Sequence, residues 1–144
     1  MFATITLNPA IDASVTVKGP LRINSIQKIT GENRTPGGKG INVAKVIAAN
    51  GCRVVAGGLV GGGEVAWFES QLGRAGIDCD FMAVDGETRE NTMVADSSGR
   101  EIKLNKPGYP DLKFDSGKLK RYCLALVKKA EVVILSGSLP ERFP

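Results

Sequence analysis

The chain has 144 residues, of which 42% are hydrophobic and 24% charged, ordinary usage for a folded domain, so a disordered or fibrous chain is excluded. It carries 18 glycines and no histidine; Ser-His-Asp triads, Cys-His dyads and His-containing metal sites are therefore excluded, and any chemistry rests on carboxylates, cations and backbone. The net charge is +4, but residues 100–129 hold nine Lys or Arg against three Asp or Glu, a concentration that reads as a solvated helix face, and no nucleic acid partner is expected.

The first predicted element is a strand over residues 2–7, stopped by Asn8-Pro9. Residues 14–17 and 23–29 alternate polar and apolar side chains and read as strands with one wet face. From Gly38 the period becomes helical, with Ile41, Ala44, Val46 or Ile47 and Ala48 on one face and Asn50-Gly51 as the stop. A buried-type strand follows at 53–60, then a helix at 64–75 and a strand at 79–84. Residues 91–96 and 101–105 flank Ser97-Ser98-Gly99 and predict a hairpin. Asp115 or Ser116 is placed to cap the next helix, and residues 131–135 form a short apolar strand. This order predicts an α/β fold with a parallel sheet covered by helices. The segments 14–29 and 91–105 do not fit that sheet and predict a small antiparallel attachment.

The three cysteines, Cys52, Cys79 and Cys123, form no CxxC pair, and a reducing compartment is expected. The first residues lack a basic segment followed by an apolar run, and no stretch is long and apolar enough for a bilayer. A soluble, cytoplasmic chain without a membrane partner is the expectation.

Nine of the 18 glycines fall between Gly37 and Gly63. Pro36-Gly37-Gly38-Lys39-Gly40-Ile41-Asn42 stands before a helix, where free backbone N–H groups and the helix dipole favour anions or hydroxyl oxygens. Lys39 adds a charge and Asn42 a donor and an acceptor; a solvent-exposed tight turn is the alternative. Gly61-x-Gly63-x-x-Ala66, with Asp85 some 20 residues on, formally matches a dinucleotide fingerprint. Asp12, Arg89 and Ser138 each fall near a strand carboxyl end, where ligand groups collect in open α/β sheets. Taken singly, they also read as a turn cap, a surface ion pair and an ordinary strand exit.

In order and spacing, Thr6–Asp12, Gly37–Ala44, Thr88–Asn91, Glu101–Asn105 with Gly108, and Ser136–Pro140 resemble the motifs of the PfkB/ribokinase family of carbohydrate kinases. The resemblance is strongest to its sugar-phosphate branch, the 1-phosphofructokinases and tagatose-6-phosphate kinases. It implies a ribokinase-like α/β fold, incomplete in this chain, with a small β lid made from about 14–29 and 91–105. It also implies that Asp12, Gly37, Gly38, Lys39 and Asn42 hold sugar hydroxyls. Arg89 would hold the phosphate with Lys28 and Lys103 as helpers, and Ser138 would lie against the sugar. Val65 departs from the family pattern, which often has glycine there. Family members are about twice as long. The Gly-Ala-Gly-Asp motif with the catalytic Asp, and most of the site for ATP with Mg, are therefore expected beyond residue 144. The expectation is the acceptor-binding half of an ATP-dependent sugar-phosphate kinase, inactive alone and self-associating as a dimer through the lid or the cut sheet. A non-catalytic sugar-phosphate binding module is the alternative, with a dinucleotide-binding domain behind it.

Overall fold

In chain order the elements are β1 (Phe2–Thr6), β2 (Ala10–Val17), β3 (Ile29–Gly37), α1 (Lys39–Ala49), β4 (Val54–Gly61), α2 (Val65–Gly73), β5 (Asp78–Val84), β6 (Glu90–Asp96), β7 (Glu101–Asn105), α3 (Ser116–Lys129) and β8 (Val132–Leu135). The computed structural model describes residues 1–109, 115–141 and 143. Four strands form a parallel sheet in the order β5-β4-β1-β8, and four form a second sheet in the order β3-β2-β6-β7.

The parallel sheet is the predicted one, and its strands are apolar because both faces are covered. β4 is buried throughout. Val54, Ala56 and Val60 face one cluster with Ile41 and Ala44 of α1 and Phe68 and Leu72 of α2. Leu59 and Val55 face the other way, toward Leu119 and Leu126 of α3. Phe68 is fully buried and meets Trp67 and Phe81 edge-on; burying such a ring contributes about 1.5–3 kcal/mol. Val65, the departure from the family pattern, is the first residue of α2 and packs against this cluster.

Asp115 caps α3 by accepting the N–H groups of Gly117 and Lys118, satisfying donors the helix leaves free. Tyr122 fixes the same helix to the sheet: its hydroxyl accepts Gly58 N–H at 2.7 Å and donates to Asp80 O.

The second sheet differs from the sequence expectation in two places. Of residues 23–29, read as a strand, 23–28 are loop and only Ile29 joins a strand, the start of β3; Ile23 and Ile26 are exposed rather than packed. The strand is instead β3, whose polar residues 31–35 have no apolar alternation to reveal it and are set by pairing with β2. The two outer pairings are antiparallel as expected, but the central one, β2 with β6, is parallel. A parallel pair needs a long crossover, and here α1, β4, α2 and β5 supply it.

Candidate functional site

Register across the second sheet aligns Thr35 with Asp12, Asp12 with Asn91, and Asn91 with Asn105. Four polar side chains thus cross all four strands in one line. The next residues on that face, two positions along each strand, pair Ser14 with Met93 and Met93 with Lys103. These residues line a cavity of about 320 Å³. Asp12 is the third residue of β2, not a turn cap after β1. Asn91 Nδ2 donates to Asp12 Oδ1 at 3.0 Å, while Asn91 Oδ1 is buried without a hydrogen-bond partner among the described residues. Lys103 pairs with Glu101 at 2.7 Å.

The glycine loop joins this face to the core. A Cβ on Gly37 would overlap the carboxylate of Asp12, so glycine here is what lets the backbone lie against that side chain. Gly38 begins α1 with φ 117° and no side-chain cap, a backbone conformation that favours glycine and leaves the helix start open. Behind the loop, Lys45 Nζ donates to Pro36 O. Burial lowers the pKa of this ammonium, and the negative charge of Asp12 acts in the opposite direction. Half-buried, Lys45 stands behind the loop and feels the charge of Asp12.

On the other side of the loop, Lys39 lines a second cavity of about 290 Å³ with Ile5, Leu7 and residues 135–139. This cavity lies at the carboxyl ends of β1 and β8, where the strand order changes direction, the usual place for a ligand crevice in an open α/β sheet. Asn8, buried, holds two of the lining residues, Ser138 and Leu139. Its Nδ2 donates to Pro107 O at 3.0 Å and to Ser138 Oγ at 3.1 Å. With that hydroxyl oxygen serving as acceptor, its own proton is available to donate.

The other expected site residues are placed less simply. Asn42 is exposed in the first turn of α1, and its N–H closes the helix on Gly38 O at 2.9 Å. Arg89 lines neither cavity. Its Nε, Nη1 and Nη2 donate to Pro9 O, Lys106 O and Asn8 O at 3.2, 3.0 and 3.1 Å. Lys28 is not brought to Asp12. It lines a separate cavity with Lys18 and Arg22 beyond the far end of β2. Val17, which pairs with Ile29, stands about 17 Å along the strand from Asp12 at roughly 3.4 Å per residue.

Asn8, Thr35, Lys45, Asn91 and Asn105 were not marked by the sequence. Asn8, Asn91 and Asn105 lie within stretches that were, whereas Thr35 emerges only from register. Among the described residues no three His, Cys, Asp or Glu side chains cluster to hold a metal ion.

The turn at Gly61 argues against a dinucleotide. A Cβ there would meet the Glu64 carboxylate, Gly86 O and Thr88 N, and Glu64 Oε2 accepts Thr88 N–H at 3.2 Å and lies 3.3 Å from Thr88 Oγ1. A carboxylate fills the space that a pyrophosphate would need and repels it.

Comparison with known proteins agrees with this geometry. Residues 6–144 match the family described as pfkB family carbohydrate kinase. The chain is 32% identical over 141 residues to a tagatose-6-phosphate kinase of Staphylococcus epidermidis, covering 98% of this chain and 45% of that protein. It is 36% identical over 140 residues to a 1-phosphofructokinase of Haloferax volcanii, covering 97% and 45%. A possible 1-phosphofructokinase from Thermotoga maritima superposes with a TM-score of 0.86 at 32% identity, over 99% of this chain and 46% of that one. Phosphofructokinase-2 of Escherichia coli, solved with fructose-6-phosphate, gives 0.84 at 24% identity over 99% and 47%, a likeness of fold. The chain thus spans about half the length of the relatives it matches. With a parallel sheet, a second mixed sheet and the motif residues gathered where those sheets meet, this chain belongs to the pfkB family of carbohydrate kinases.

Proposed function

We propose that this chain is the acceptor-binding part of an ATP-dependent sugar-phosphate kinase whose acceptor is a phosphorylated ketohexose such as fructose 1-phosphate or tagatose 6-phosphate. The observation that carries the reading is the polar line Thr35, Asp12, Asn91 and Asn105 facing one cavity, joined by Gly37 and Gly38 to the crevice lined by Lys39 and Ser138. Carboxylate and amide groups on a fixed sheet suit vicinal hydroxyls, which both donate and accept. Lys39 and Lys103 supply positive charge for a phosphate, with the two N–H donors of Arg89 that its three carbonyl contacts leave over.

Phosphoryl transfer also needs the γ-phosphate held, its charge neutralised and the nucleophile oriented. ATP and Mg would supply the transferred group and that neutralisation. Among the described residues no acidic set fits the metal; the residues here bind and orient the acceptor, and the catalytic Asp is assigned to the part of the relatives this chain does not span. The exposed Val132, Leu135 and Leu139 on the β8 side, and Ile102 and Leu104 on β7 with Ile23 and Ile26 in the β2–β3 loop, support self-association through the sheet edge or through the second sheet acting as a lid. Residence in the cytoplasm fits the three free cysteines and the absence, among the described residues, of a helix long and apolar enough to cross a membrane.

Calorimetric titration with fructose 1-phosphate and tagatose 6-phosphate tests the reading. One of them should bind, and Lys39→Met should weaken it by about tenfold, the weight of one charge-assisted contact. No heat from either ligand would end the proposal. The purified chain should show no ATP-dependent turnover, and steady turnover would overturn the division of labour.

A further inference from the structure

The chain passes between the two sheets four times, after β1, β3, β5 and β7. Three of those crossings meet at one guanidinium. Arg89 lies in the crossing after β5. It donates to Asn8 O and Pro9 O in the crossing after β1, and to Lys106 O in the crossing after β7. Its own carbonyl accepts Ile11 N–H at 2.8 Å, and Asn8 Nδ2 ties the first and last crossings again through Pro107 O.

A guanidinium has five N–H donors, and three of these are committed to backbone carbonyls from two distant segments. A side chain used for phosphate recognition alone would present parallel N–H pairs to the ligand; this one commits three of its five donors to the chain and keeps two for a ligand. The position it holds matters, because the two halves of the candidate site lie on different sheets. Asp12 and Asn91 belong to the second sheet, whereas Lys39 and Ser138 belong to the core. A misplacement of about 1 Å between such halves can cost about 100-fold in function.

We propose that Arg89 is a positioning residue, the clasp of a hinge that fixes the second sheet against the core and so sets the spacing of the two halves of the acceptor site. Its consequence for sugar binding rests on the function proposed above; the clasp itself does not. A reporter is built in away from the hinge. Arg34 of β3 lies with its guanidinium carbon 6.0 Å from the ring centroid of Trp67 in α2, and Trp67 is the single tryptophan of the sequence. Its fluorescence therefore reads contact between the second sheet and the core.

The test compares the complete 144-residue chain with its Arg89→Ala and Arg89→Lys variants. In Arg89→Ala, amide exchange at Ile11 should rise about tenfold or more, the loss expected for hydrogen bonds to a charged group. Protection in β1 and β4 should persist, and Trp67 should become more open to acrylamide quenching. Arg89→Lys should not restore either signal, since an ammonium is a point donor that cannot span the same carbonyls. Fructose 1-phosphate and free fructose should both lose affinity in the two variants. Loss confined to the phosphorylated sugar, with Trp67 quenching and exchange unchanged, would overturn the clasp and leave a phosphate anchor. If the parent chain binds neither fructose 1-phosphate nor tagatose 6-phosphate, the proposed function fails, and quenching and exchange still decide the clasp. Should Arg89→Ala not fold, Arg89→Lys decides alone: parent-like quenching and exchange in it overturn the clasp.

Discussion

Asn91 and Asp12 stand directly opposite one another on the parallel pair β2–β6, and Asn91 Nδ2 donates to Asp12 Oδ1 at 3.0 Å. That bond leaves Asp12 Oδ2 facing Gly37 and fixes the carboxylate's plane. Asn91→Ala should free it to rotate. Acceptor affinity should fall by about tenfold or more, one hydrogen bond to a charged group, while Asn91→Asp, which sets a second charge against Asp12, should lose more. Titration calorimetry on the three chains checks the order; equal affinities would remove Asn91 from the site.

Gly37 and Gly63 make a paired test of what the glycines do. An alanine Cβ at Gly37 would overlap the Asp12 carboxylate, whereas one at Gly63 would meet nothing within 4 Å. Gly37→Ala should displace Asp12, abolish measurable acceptor binding and cost about 1–3 kcal/mol of stability, the range for overpacking. Gly63→Ala should bind as the parent does. A loss at Gly63 matching the loss at Gly37 would mean that the whole glycine-rich region, and not the Asp12 cradle, controls binding.

The parallel sheet was legible because its strands carry long-range information locally: β4 is apolar at successive positions since both faces are buried. The glycine loop was legible because a helix start leaves a compositional mark. The second sheet was legible at residues 14–17, which fall in β2, and at the β6–β7 hairpin, where a short turn fixes register. β3 carries Gly31, Glu32, Asn33 and Arg34, all exposed, so nothing in its own pattern announces a strand. Residues 23–28 imitate one while lying in a loop. The same limit applies to the site. Asn91 is 79 residues from Asp12 and Asn8 is 130 from Ser138; pairings of that span come from topology, and the role of Arg89 as a fastener of chain carbonyls has no local signature at all.

Asp96 ties the far end of the second sheet. Its buried carboxylate accepts from Ser98 Oγ, Leu21 N–H, Ser98 N–H, Arg100 N–H and Arg100 Nε. The Ser98 hydroxyl first, then the backbone donors, hold its pKa well below the usual carboxylate range. A carboxyl depressed on folding contributes stability that is complete above its unfolded pKa, about 3.9, and is lost as pH falls toward the folded value. The melting temperature should therefore drop steadily below about pH 4. Asp96→Asn should lower it at neutral pH, and the gap between the two chains should narrow in acid. A gap that stays constant from pH 6 to pH 2.5 would show that the charge of Asp96 contributes nothing.

The cysteines should separate by reactivity. Cys52 is exposed, Cys79 and Cys123 are half-buried, and burial, reinforced by the nearby Glu69 and Asp78 carboxylates, pushes the Cys79 thiol up to about 11. Burial also raises Cys123. At pH 8 about one Cys79 in a thousand is thiolate, the reactive form. An aromatic disulfide reagent should modify one thiol rapidly and the other two only on unfolding. Cys52→Ser should remove the rapid phase, and its persistence in that variant would contradict the burial of the other two.

Tyr122 offers the sharpest test of how α3 is held. Its hydroxyl accepts Gly58 N–H at 2.7 Å and donates to Asp80 O, joining the helix to β4 and β5 at once. Gly57 leaves the room: a Cβ there would come within 2.6 Å of both the Tyr122 hydroxyl and Leu126 Cδ1. Burial raises the pKa of the phenol, so it stays protonated and able to donate through ordinary assay conditions. Tyr122→Phe keeps the ring but leaves a buried N–H and a buried carbonyl unpaired, which costs about 1–3 kcal/mol. Gly57→Ala should cost a similar amount through overpacking at the same contact. Because both changes act on one contact, the double variant should lose less than the two single losses combined. Urea unfolding of the four chains measures this. Strict additivity would mean that the hydroxyl and the glycine stabilise the helix independently, and that the close approach at Gly57 is not what seats Tyr122.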